Sequence, residues 1–148
     1  MVGDVIFGDD VDFQYAASLP LQTQVFTEAL FNQVANFPGF FTGLAFFYPG
    51  AAVPALSQAS PQGELPSAEI TIRVFRATGE LAGVSVQVLA VGERLSKLLP
   101  ELVPESAGQA GGYVLISSSQ GIIGQMLYGA LQGEAIQLFS AVVPTVIQ

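Results

Sequence analysis

The chain reads as an α+β protein: a small, mostly antiparallel sheet packed against amphipathic helices in a single compact domain spanning residues 1–148. Three observations predict this. Ile70, Ile72 and Val74 alternate with Thr71 and Arg73, and Val84, Val86 and Val88 with Ser85 and Gln87, the period of two expected of half-buried strands. Residues 21–34 and 120–143 instead repeat apolar residues three and four apart, as along one stripe of a helix. The length of 148 residues falls within the single-domain range, and no shift of composition divides it.

At the N-terminus Val11, Phe13 and Tyr15 alternate with Asp10, Asp12 and Gln14, and Val5–Phe7 precede them across the turn-forming pair Gly8-Asp9. That pattern predicts a hairpin. Ser18 as cap and Pro20 in the first turn then open a helix, with Leu21, Val25, Phe26, Ala29, Leu30 and Val34 on its apolar face, ending near Asn36. Residues 37–56 have the length of a membrane span. Pro38, Pro49 and Pro54, with Gly39, Gly43 and Gly50, would free backbone groups that lipid cannot satisfy, so membrane insertion is not expected. We read buried irregular chain there with one short strand, Gly43–Tyr48, followed by a loop over Leu56–Ser67.

The alternating segments at Ile70–Phe75 and Val84–Ala90 meet across Ala77-Thr78-Gly79. For both apolar sets to share a face, opposed residue numbers must sum to an even number, and a three-residue loop ending on glycine provides that. The expected pairs are Arg76 with Glu80, Ile72 with Val84 and Ile70 with Val86. A register facing Arg73 with Val84 would put the two sets on opposite faces, and we reject it. Glu93–Leu99 reads as a short helix closed by Pro100, Ser106–Gly112 as flexible, and Tyr113–Ser117 as a strand.

In the last third, apolar pairs recur every four residues from Ile122-Ile123 to Val142-Val143. A four-residue step overshoots an ideal helical turn by about 40°, so one straight helix could not keep that stripe on one partner. A break near Gly133 is expected, giving helices over Gln120–Gln132 and Glu134–Val143, with Gly121, Gly124 and Gly129 allowing close helix packing.

Composition narrows the function. The chain has no histidine, cysteine or tryptophan, so the usual general base, the strongest ordinary nucleophile and thiolate metal sites are all missing. Twelve acids against four bases give a net charge of −8, which disfavours nucleic acid as a partner. The first residues are acidic where a secretory or transit peptide would be basic, so the expected location is cytoplasm or virion. Hydrophobic residues make up 51% of the chain and charged ones only 11%, less than half the roughly 25% of an average soluble domain. That excess of apolar surface must be covered by something.

The expected function is therefore a non-enzymatic structural subunit of a homo-oligomeric assembly, of virion, tail, ring or shell type. Its partners are copies of itself and other subunits of the assembly. Candidate interface residues are Ile123, Leu127, Leu131, Phe139 and Val143 in the C-terminal third, with Phe40 and Phe46 from the apolar segment. The rival is a carrier folding around an apolar ligand, with Phe37, Phe40, Phe41, Phe46 and Phe47 as lining. A third reading is a carboxylate enzyme using Glu134 or Glu28 beside Tyr48, Tyr113 or Tyr128. Asp10 and Asp12, on one face of the predicted first hairpin, are the weak candidates for a cation site. No cofactor is expected. The glycines in Ser119–Gly124 lack the dinucleotide fingerprint and any following lysine.

Overall fold

Strand follows strand along this chain. The computed structural model describes residues 4–8, 16–20, 24–50, 66–133 and 135–147. The strands are β1 (Asp4–Gly8), β2 (Ala16–Pro20), β3 (Phe26–Phe31), β4 (Phe40–Phe47), β5 (Ala68–Phe75), β6 (Leu81–Leu89), β7 (Arg94–Leu98), β8 (Tyr113–Gln132), β9 (Ala135–Val142) and β10 (Thr145–Val146). Between β7 and β8 lie the only helical segments among the described residues, α1 (Leu99–Leu102) and a 3-10 turn at Pro104–Ser106. None of these is long and apolar enough to cross a membrane.

All pairings are antiparallel, and β8 is their spine. Its first part, Tyr113–Ser118, lies between β3 and β5, with β10 beyond β3 and β6 beyond β5. Its second part, Ile123–Gln132, lies between β4 and β9, with β7 beyond β4. The buried side chains of β8 are at even positions: Val114 and Ile116 in the first part, Ile122 between the two, and Met126 in the second. They join one cluster with Ala29 and Phe31 of β3, Leu44 and Phe46 of β4, and Ile70, Ile72 and Val74 of β5. One face of the eight-stranded sheet thus curls over a single core.

This overturns the α+β expectation. The predicted helix over residues 18–36 is replaced by the end of β2 and by β3, and the two predicted C-terminal helices are β8 and β9. The cause is a shared harmonic: an apolar pair repeated every four residues fits one helical turn, and it also fits twice the strand period. On β8 the first member of each pair faces the core and the second faces away. The three glycines decide between the readings, since each would cost a helix interior about 1 kcal/mol relative to alanine. In the sheet, Gly124 is opposite Phe46 and Gly129 opposite Phe41, and each leaves room for the ring. A Cβ on Gly124 would lie 2.6 Å from the Phe46 ring. The expected break at Gly133 falls instead at the turn between two strands, with φ of 65°.

Three further expectations change. The N-terminal hairpin pairs β1 with β2, Ile6 facing Ser18, while the predicted strand over residues 11–15 lies outside the described residues. The predicted helix at residues 93–99 is β7, and Pro100 opens α1 instead of closing a helix, as a residue without an N–H can in a first turn. The Glu101 carboxylate accepts the Leu98 N–H at 2.7 Å. Finally, the stretch read as flexible is pinned. Ser106 and Gln109 are buried; Asn36 donates to the Ser106 carbonyl and hydroxyl oxygens at 3.3 Å, and Gln109 donates to the carbonyls of Phe75 and Gly111 at 2.9 Å.

Candidate interaction surface

The hairpin of β5 and β6 carries the main surprise. Its loop is as the sequence predicts: Gly79 has φ of 85°, its N–H donates to the Arg76 carbonyl, and the Arg76 N–H donates to the Glu80 carbonyl at 2.8 Å. Phe75 then faces Leu81, but Val74 faces Gly83, so Ala82 is an extra residue and β6 is bulged. Gly83 makes room for the bulge, because a Cβ there would press within 2.7 Å of Val103 and Glu105. Beyond it the register is Arg73 with Val84, Thr71 with Val86 and Glu69 with Val88. This is the register rejected from the sequence.

One slipped residue inverts a strand's faces. Ile70, Ile72 and Val74 are fully buried, whereas Val84, Val86 and Val88 stand 48%, 53% and 59% exposed. The inward side of β6 is occupied instead by half-buried Ser85 and Gln87, with the Gln87 amide donating to the Ser85 hydroxyl at 2.8 Å. Among the described residues β6 pairs only with β5, which leaves its far edge open. Leu81 and Val91, 47% and 40% exposed, extend the apolar row at either end.

Across the same outward face, Arg73 donates to the Ser117 hydroxyl at 3.0 Å and Phe75 stacks on Tyr113, ring centroids 4.7 Å apart. A second apolar surface lies outside β4 and the second part of β8. Ile123 and Leu127 are half-buried there, Leu131 and Val143 exposed, and Phe139 takes the ladder position opposite Gly129. Of the remaining interface candidates, Phe46 is in the core at 2% exposure, and Phe40 is exposed beside Phe37, centroids 4.5 Å apart. The sequence-predicted interface set is thus split between the outward surface and the core.

Of the phenylalanines expected to line a carrier cavity, Phe46 points into the core, Phe47 is exposed, Phe37 and Phe40 pair with each other, and Phe41 is half-buried opposite Gly129. Glu28 is an exposed residue of β3 opposite Ser117, four residues along β8 from Tyr113, roughly 13 Å at strand rise. Tyr48 donates its hydroxyl to the Pro66 carbonyl at 2.9 Å and Tyr128 to the Gln33 carbonyl at 2.7 Å. Burial pushes the Tyr128 phenol up from its ordinary 10.0 to about 12. Asp10, Asp12 and Glu134 lie outside the described residues, and the described ones hold no cluster of acidic side chains arranged for a metal.

The sequence matches no known family and no curated protein. Among solved structures it is similar to the crystal structure of Thermotoga maritima 1070, with a TM-score of 0.58 and 10% identity over 82% of this chain and 95% of that one. At that identity the likeness is one of fold alone.

The exposed valine row is the feature of this surface least accessible to sequence reasoning. One signal pointed to it: an isolated glycine inside a strand pattern, here Gly83, often marks a bulge.

Proposed function

We propose that the chain is a non-enzymatic structural subunit that assembles with copies of itself through the apolar outer surface of its sheet. The observation that carries this is the outward row Val84, Val86 and Val88 on a strand free of charge from Leu81 to Leu89, in a chain of net charge −8. Copies repel one another over most of their surface, and the approach least opposed is along an uncharged strand. The absence of histidine and cysteine from the sequence supports a structural role.

Magnitudes bound the reading. Removing the exposed half of a valine from water is worth roughly 1 kcal/mol, so six valines across a two-fold interface supply about 6 kcal/mol. Association itself costs an estimated 4–15 kcal/mol. The row alone is therefore marginal, and either backbone pairing or the second apolar surface must add to it. Light scattering across a concentration series checks the proposal. A multimer of defined mass is expected; a ligand-free monomer at the highest concentration overturns it.

A further inference from the structure

Resting on that reading, we infer how two copies meet: β6 of one protomer pairs antiparallel with β6 of a second, centred on Val86, so that the two sheets become one continuous sheet across a two-fold axis.

The sheet's edges differ in a way that selects β6. The β7 edge holds Arg94 and Lys97 within five residues, the charge that ordinarily blunts an edge. The β10 edge is two residues long and follows Pro144. β9 has β2 running against it. β6 is nine residues long, carries neither charge nor proline, and among the described residues pairs only with β5; β9, eight residues and likewise uncharged, is the one that β2 lies against. The open amides and carbonyls of such an edge are a template for another strand.

The occupant follows from the sequence of the strand itself. A two-fold antiparallel pairing sets residue k against the residue whose number completes an even sum, so like parity always meets like parity. On β6 that places the valine row of one copy against the valine row of the other in every symmetric register. Centring on Val86 overlaps the whole valine row, with Val84 opposite Val88 on the outward face and Ser85 opposite Gln87 on the inward face. Branched side chains directly opposed are favourable cross-strand pairs, and the polar pair on the other side can hydrogen-bond. A strand from a charged or differently patterned protein lacks this match. The bulge at Ala82 twists only the end of the edge and leaves Val84–Val88 regular.

The test uses the full chain and two opposite charges at one exposed position. Val86→Lys and Val86→Glu each place like charges face to face at the axis and are expected to weaken dimerisation about tenfold or more in sedimentation equilibrium. An equimolar mixture of the two brings Lys against Glu and is expected to recover the dimer. Asn32→Lys, at an exposed position just after β3, is expected to leave the mass unchanged. Amide exchange provides a measure that needs no variant: protection along Ser85–Val88 rises with protein concentration if β6 pairs, while that of β7 does not. A multimer untouched by either charge at residue 86, or a mixture that stays dissociated, overturns the pairing while leaving assembly through another surface standing. Exchange at β6 that ignores concentration overturns it likewise. A wild-type monomer sinks both readings.

Discussion

The two parts of β8 reach the same backbone conformation by different means. Tyr113–Ser118 is free of glycine and fills its own space: Val114 and Ile116 enter the core, and Leu115 and Ser117 face outward, between β3 and β5. The second part contains Gly124 and Gly129, and there the volume comes from the neighbouring strand, with Phe46 beside Gly124 and Phe41 beside Gly129. One part is a strand by virtue of its own side chains. The other is a strand by virtue of its partner, and its local preferences say little about it.

The largest expected effect belongs to the self-sufficient part. Ile116 is fully buried against residues of β3 and β5, so Ile116→Ala leaves a cavity that the surrounding sheet cannot close. A loss of roughly 2–5 kcal/mol is expected in denaturant unfolding at constant slope. A loss below about 1 kcal/mol would show that this part, too, is held by its neighbours.

In the second part the sign of the substitution reverses, because the danger is added volume. Gly124→Ala brings a Cβ within 2.6 Å of Phe46 and 3.1 Å of Phe26, and overpacking of a tight core costs roughly 1–3 kcal/mol. If the glycine exists to seat the ring, the two positions are coupled. Phe46→Leu in the same chain should then relieve part of the glycine substitution, with an interaction energy of about 1 kcal/mol in the double-mutant cycle. Strict additivity would mean that the empty space at Gly124 serves something other than Phe46.

The same contrast explains what could be read in advance. The strand at Tyr113–Ser117, the strand within β4, both strands of the central hairpin, the reversal at Gly79 and the interruption at Gly133 follow from local patterns that agree with their surroundings. The second part of β8 was hidden because apolar residues on both faces of a strand produce a four-residue repeat that a helix also satisfies. For β3, Val25-Phe26 and Ala29-Leu30 create the same ambiguity. The valine row was hidden for another reason. A rule that apolar residues share the buried face selected the wrong register, although Gly83 offered the local sign of a bulge. An apolar row turned outward breaks the inward-apolar rule, and such reasoning fails there. Of the interface residues chosen from sequence, those at odd positions of β8 are on the outward surface, and Phe46, chosen for its apolarity alone, is core.

The smallest effect tests how firmly the second part of β8 is tied to the chain beyond its own ladder. Tyr128 sends its hydroxyl to the Gln33 carbonyl at 2.7 Å, joining β8 to the segment after β3. Tyr128→Phe keeps the ring and removes the bond, so a loss of about 1 kcal/mol is expected near neutral pH. The variant also changes the alkaline limb of stability. Burial raises the folded phenol to about 12 from 10.0, so between those values the folded protein retains a proton that the unfolded chain releases. Stability from this group is complete below pH 10 and is lost as pH climbs towards 12. The difference between wild type and Tyr128→Phe, measured by urea unfolding at pH 8 and pH 11, is expected to shrink at the higher pH. A gap that stays constant would mean that the phenol titrates alike in both states, and that burial does not hold its proton.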